Sequence, residues 1–170
     1  MTVISTTKDV EALTLTVVAE FDADPDRVWQ VWADARQLER WWGPPGFPAT
    51  FTRHDFVVGG ESRYYMSGPD GERPYGWWRM LAIDRPHRIE FANGLAGDDG
   101  EPVDGVEPIP GWVDFEDIPG GTRMTAVCSF VDSEQMQTMV TMGMPEGMTL
   151  AVGQIDALVN PPVAASTGGA

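Results

Sequence analysis

Cysteine is almost missing from this sequence. Cys128 is the only one in 170 residues, so no disulfide can form within the chain and no cysteine-rich metal site exists. Histidine is nearly as scarce: His54 and His87 stand far apart and in no metal-binding spacing such as H-x-x-x-H. Positive charge is short as well. Eleven Lys and Arg face 26 Asp and Glu, for a formal net charge of −15. Nucleic acid and anionic membrane surfaces both need clustered cations, so this balance argues against either as a partner. No apolar run approaches the roughly 18–20 residues of a membrane-spanning helix. The opening "MTVISTTKDVEALT" lacks the basic start and apolar stretch of a secretory signal. A reduced, cytoplasmic protein is the expectation. No nucleophile elbow, P-loop or dinucleotide fingerprint is present either, and the two glycines of "VVGGE" read as a strand start or bulge. No cofactor and no metal are expected.

What is abundant is apolar and aromatic. A hydrophobic share of 42% with seven tryptophans describes a folded globule, and the length suits one domain. Residues 12–160 carry the domain signals. Residues 1–11 read as an N-terminal tail, and the small, uncharged residues 161–170 as a flexible C-terminal one.

"ALTLTVVAEF" (12–21) alternates and is β-branched, so it predicts a first strand. Asp24 and Pro25 then suit the cap and first position of a helix carrying Val28, Val31, Trp32 and Ala35. A second short helix holds Leu38, Trp41 and Trp42, and Gly43-Pro44-Pro45-Gly46 stops it. From 50 to 131 the signals are strands and turns. One insertion, 95–111, is acidic, rich in Gly and Pro, and too long for a tight turn; it reads as a mobile flap or as an inert solvated loop. Asp132 and Gln135 open the last element. Met136, Val140, Met144, Met148, Ala151, Ile155 and Leu158 form a stripe at helical spacing. Pro145 should kink or split it near Gly143-Met144, yet the stripe keeps phase, which predicts one long bent helix.

Several phrases carry a resemblance: "ADPDRVWQVWADARQLERWWGP", "FVVGGESRYYMSGPDG", "AIDRPHRIEF", "GGTRMTAVCSF" and "MGMPEGMTLAVGQIDALV". Together they resemble the START-like, helix-grip superfamily called SRPBCC. The nearer likeness is to its branch named after the activator of heat-shock-protein-90 ATPase, with polyketide-cyclase-like relatives. The resemblance implies an α+β fold: a curved antiparallel sheet of about six to seven strands around a long C-terminal helix, with two short helices after the first strand. It also implies an apolar cavity between sheet and helix.

Alternation then selects the cavity side. In "GESRYYMSG", Glu61, Arg63 and Tyr65 should face water, which turns Tyr64 and Met66 inward. Ile89 and Phe91 go inward opposite Arg88 and Glu90. Met124, Ala126, Cys128 and Phe130 form another apolar face. In "YGWWRMLAID" either Trp78 with Met80 or Trp77 with Leu81 could be inside. Trp112 shares a face with Asp114 and Glu116; Val113 and Phe115 are its apolar alternates, which favours water for the two acids. Of Trp41 and Trp42, one should pack as core and the other line the entrance. The candidate ligand-binding residues are therefore Trp41, Trp42, Phe47, Tyr64, Met66, Trp78, Phe91, Trp112, Met136, Val140, Met148 and Val152. Nine methionines suit irregular cores and adaptable binding walls alike.

The catalytic inventory is thin. His54 and His87 read as surface or strand-end residues, and Cys128 as an inward, apolar thiol with no base or cation to activate it. Three functions are compatible with the sequence. One is a non-catalytic binder of a small hydrophobic or aromatic molecule. Another is a cyclase- or hydrolase-type enzyme on the same pocket, which would need a polar constellation not evident here. The third is a co-chaperone-like module stimulating a chaperone ATPase, with Asp98, Asp99, Glu101 and Asp104 of the flap as its only surface. The chain reads as a lone domain, without the extra N-terminal module of eukaryotic co-chaperones, which favours the binder. A monomer and a homodimer fit equally well.

Overall fold

The computed structural model describes residues 3–160; the expected C-terminal tail lies outside the described residues. The strands are β1 (Val3–Asp9), β2 (Thr14–Phe21), β3 (Ala49–His54), β4 (Glu61–Met66), β5 (Tyr75–Asp84), β6 (Arg88–Ala96), β7 (Ile109–Ile118) and β8 (Gly121–Ser129). They form one sheet in the order β1-β2-β8-β7-β6-β5-β4-β3, with every neighbouring pair antiparallel. The α+β helix-grip architecture is as expected, with one strand more than predicted. The extra strand corrects the N-terminal tail: residues 3–9 pair with β2 at the sheet edge. "VISTTKD" was too short and too polar to stand out, but pairing with β2 satisfies its backbone without needing an apolar face.

Period-two burial runs through the sheet. In β2, Leu15, Val17, Ala19 and Phe21 point into the core and their neighbours do not. Between β2 and β3 the chain crosses from one side of the sheet to its far edge through α1 (Pro25–Ala33) and α2 (Ala35–Leu38). The Asp24 carboxylate caps α1 by accepting from the Arg27 N–H, and Pro25 occupies the first turn. Val28, Trp29, Val31 and Trp32 are its buried face; burial of side chains of this size contributes about 1.5–3 kcal/mol each. Asp34 caps α2 in the same way. The Gln37 side chain donates to its other oxygen, which together with the backbone N–H groups holds Asp34 below the ordinary carboxylate pKa.

The C-terminal element departs from the prediction. Instead of one long bent helix there are three: α3 (Ser133–Thr141), α4 (Met144–Gly153) and α5 (Asp156–Val159). The break is made by Gly143 at φ +88°, a left-handed conformation that glycine adopts without a Cβ clash. Pro145 then sits in the first turn of α4, where its missing N–H costs nothing. A proline that looked like a kink inside a helix is the start of a new one. The break divides the apolar stripe between two clusters, and Met148 packs against both. Met136 packs with Leu15, Ile109 and Phe130 in a small cluster. Ala151, Val152, Ile155 and Val159 belong to the main core.

The acidic insertion is shorter than the sequence suggested. β6 runs to Ala96, Ala96 bridges Pro102, and β7 resumes at Ile109. What lies between is latched. Arg63, outward-facing on β4, donates to the Gly100 carbonyl at 2.8 Å and to the Glu101 carboxylate at 2.5 Å, while also pairing with Glu61 at 3.0 Å. No helix among the described residues is long and apolar enough to cross a membrane.

Candidate functional site

A cavity of about 210 Å³ lies between the inner faces of β4, β6, β7 and β8, the helix α4, and the turn that follows α2. The sheet supplies Tyr64, Met66, Phe91, Asn93, Ile109, Val113, Ala126 and Cys128; α4 supplies Met144, Gly147, Met148, Ala151 and Val152. Trp32 of α1 closes the floor with Trp41, Trp42 and Pro44. No side chain lining it is a carboxylate, histidine, lysine or arginine.

Both rings of the Trp-Trp pair reach this cavity, in different ways. Trp41 is 1% exposed, and its indole N–H donates to the Val31 carbonyl at 2.8 Å. Its ring meets Trp32 edge-on at 4.7 Å. It is core and wall at once. Trp42 is less buried, lies edge-on to Trp78 at 4.7 Å and to Tyr64 at 6.0 Å, and its buried indole nitrogen has no acceptor. The turn is held from the helix side: the Gln154 carboxamide at the end of α4 donates to the Trp41 carbonyl at 3.3 Å and the Gly43 carbonyl at 2.8 Å.

One end of the apolar chamber is polar. The Tyr64 hydroxyl donates to the Asn93 carboxamide oxygen at a long 3.4 Å. It lies over Gly76 of β5, where a Cβ would come within 2.3 Å of the phenol oxygen, so only glycine can face it across the β4–β5 pairing. The buried N–H groups of Trp42 and Trp78 have no acceptor in hydrogen-bonding geometry, yet both lie beside this oxygen. Burial pushes the Tyr64 phenol up to about 12, and the two indole N–H groups pull weakly the other way. Burial alone also pushes the Cys128 thiol up to about 12; its sulfur touches the Met148 sulfur at 3.9 Å. Tyr64 and Cys128 are thus neutral at physiological pH.

Of the candidates read from sequence, Trp41, Trp42, Tyr64, Met66, Phe91, Met148 and Val152 come together on the cavity wall. Four do not. Trp78 is fully buried behind Trp42, in the core rather than the cavity, with Trp77 lying over Gly94 on the outer face. Met136 and Val140 do not line the cavity; they pack in the neighbouring cluster, which meets the cavity wall through Ile109, Cys128, Met144 and Met148. Phe47 packs by the β4–β5 hairpin against Gly68. Trp112 needs a finer correction: it borders the cavity, but its ring lies under the Arg88 guanidinium at 5.4 Å, on the face where Arg88 pairs with Asp114. Glu116 is exposed while Val113 and Phe115 are core.

Sequence reasoning missed Asn93, Trp32 and Met144. Asn93 was legible in principle, two residues beyond Phe91 on the same strand face. His54 lies outside the cavity, held between two partners: its Nε2–H donates to the Trp32 carbonyl at 2.9 Å and its Nδ1 accepts from the Ser62 hydroxyl at 2.7 Å. Burial lowers its pKa. The described residues contain no group of three or more His, Cys, Asp or Glu able to hold a metal.

Comparison with known proteins places the fold. A protein from Arthrobacter aurescens, 52% identical, superposes with a TM-score of 0.90 over 95% of this chain and 94% of its own. A protein from Mycobacterium smegmatis, 42% identical, does so at 0.87 over 94% and 98%. The AHSA1 protein from Silicibacter pomeroyi, at 22% identity and a TM-score of 0.68 over 85% and 96%, shares the fold. No curated protein matches. The family described as Activator of Hsp90 ATPase homolog 1-like protein matches residues 22–160, and the chain belongs to it.

Proposed function

We propose that this protein binds a small, neutral hydrophobic or aromatic molecule in the cavity between sheet and α4, and releases it unchanged. The observation that carries the reading is the wall itself: aromatic and thioether side chains surround the chamber, with no ionisable group that is charged at neutral pH. A dry engineered cavity of about 150 Å³ accommodates benzene, so about 210 Å³ suits one or two fused rings. Burying about 250 Å² of such a ligand contributes about 6 kcal/mol. Association costs at least about 4 kcal/mol, so apolar contact alone gives weak binding and the remaining affinity comes from ring packing and hydrogen bonds.

Native mass spectrometry of freshly purified protein, followed by denaturing extraction, tests the proposal. A stoichiometric small apolar molecule is the expected result. An empty protein that also shows no thermal shift with aromatic and lipid-like compounds would overturn it. That outcome would move the assignment to a chaperone-ATPase activator, the activity in the family's description, with the Arg63-latched acidic loop as the surface to test.

A further inference from the structure

Resting on that binding assignment, we propose that the ligand carries a neutral hydrogen-bond acceptor, a carbonyl or comparable oxygen, which the Tyr64 hydroxyl and the Asn93 carboxamide receive at the polar end of the cavity. Both side chains line the chamber. Their mutual bond, at 3.4 Å, is well beyond the 2.7–2.8 Å usual between a hydroxyl and an oxygen. The Tyr64 proton is therefore poorly used by the protein and free to turn to a better acceptor.

The surroundings of Tyr64 sharpen this. Two buried indole N–H groups, on Trp42 and Trp78, flank the phenol oxygen without acceptors of their own. A buried donor left unmet costs about 1–3 kcal/mol, and folded proteins rarely keep two in one place. Both pull the Tyr64 phenol down against the larger effect of burial, which favours donation from its hydroxyl. When that hydroxyl donates outward to a ligand oxygen, charge moves onto the phenol oxygen and the two indole contacts strengthen in turn.

Charge selects the class of acceptor. A carboxylate would enter a chamber with no Lys, Arg or His on its wall, and burying an unpaired ion costs several kcal/mol. An ammonium would find no carboxylate. A pure hydrocarbon would leave the Tyr64 proton on its long bond. A neutral carbonyl on a one- or two-ring body meets each requirement.

Calorimetric or fluorescence titration with 1-indanone, indane and indane-1-carboxylate tests this on the intact protein. Indanone should bind about tenfold more tightly than indane, with the carboxylate weakest. Tyr64→Phe should abolish the preference for indanone over indane. Equal binding of indanone and indane, or a preference that survives in Tyr64→Phe, would overturn the acceptor assignment and leave the apolar binding site standing. If neither neutral probe binds the wild-type chain, the binding assignment falls and this one with it. The wild-type comparison of the three probes decides the matter even if the variant does not fold.

Discussion

Gln154 and Gly43, separated by most of the chain, are joined by a 2.8 Å hydrogen bond from the glutamine carboxamide to the glycine carbonyl. With a second bond to Trp41, it ties the end of α4 to the turn presenting the two tryptophans. Gln154→Ala should cost about 1–2 kcal/mol, since each lost bond of this kind contributes about 0.5–1.5 kcal/mol. It should also release the cavity's tryptophan wall. Urea denaturation measures the first effect, and the dissociation rate of 1-indanone the second. An unchanged midpoint and rate would show the tie to be idle.

The break at Gly143 yields a paired prediction. Gly143→Ala forces a Cβ into a left-handed position and should cost about 1–2 kcal/mol. Pro145→Ala should change stability by less than about 1 kcal/mol, because that proline stands where an N–H is not required. A rise in helix content on far-ultraviolet circular dichroism of Pro145→Ala would mean that the proline, not the glycine, separates α3 from α4.

Stability should fall with acid in two stages. His54 has a folded pKa below its ordinary 6.5 because burial disfavours the imidazolium. The unfolded chain therefore takes up the proton first. The stability His54 contributes is complete above 6.5 and is lost as pH falls through its folded value. Glu61, lowered from 4.5 chiefly by hydrogen bonds from Arg79 and Arg63, and Asp34, lowered from 3.8, follow only below those values. Urea midpoints between pH 7.5 and 5 should decline, and the His54 ring should titrate below the usual histidine range by NMR. A flat profile over that interval would contradict the buried, neutral imidazole.

Cys128 should be a slow thiol. A rise from 9.0 to about 12 leaves about a thousandth of the usual thiolate at pH 8. Iodoacetamide should therefore label the native protein about a thousandfold more slowly than the urea-unfolded chain, as read by mass spectrometry. Labelling at comparable rates would place the sulfur in water.

Arg63→Gln should free the loop without touching the cavity. Amide exchange at Gly100 and Glu101 should accelerate, because the latch of Arg63 on both residues is lost. Affinity for 1-indanone should hold, since no residue of 97–108 lines the chamber. Weakened binding would make the loop a lid.

Much of this was written in the local chemistry. Alternation in β4 and β6 placed Tyr64, Met66 and Phe91 because a half-buried strand has only two faces, and a wrong face is costly. The same rule left Trp77 and Trp78 open, both being large and apolar; the choice falls to the tertiary contacts that bury Trp78 and lay Trp77 over Gly94. The helical stripe misled for a different reason. Periodicity reports which side of a helix is apolar, not whether one axis continues through a glycine, so Met136 and Val140 were assigned to a surface that α4 alone provides. Strand β1 escaped because edge pairing is a backbone affair. Asn93 escaped because a wall sought by apolarity passes over a lone amide, even one that shares its strand face with Phe91.

Four indoles, three on the cavity wall and Trp78 behind them, form an unbroken relay: Trp41 to Trp32 at 4.7 Å, Trp32 to Trp78 at 6.1 Å, and Trp78 to Trp42 at 4.7 Å. Over such spacings excitation passes between rings faster than it is emitted. A quencher resting against Trp42 would darken the whole group, so intrinsic emission would report any compound that reaches this wall, with no dye to attach and no residue to replace.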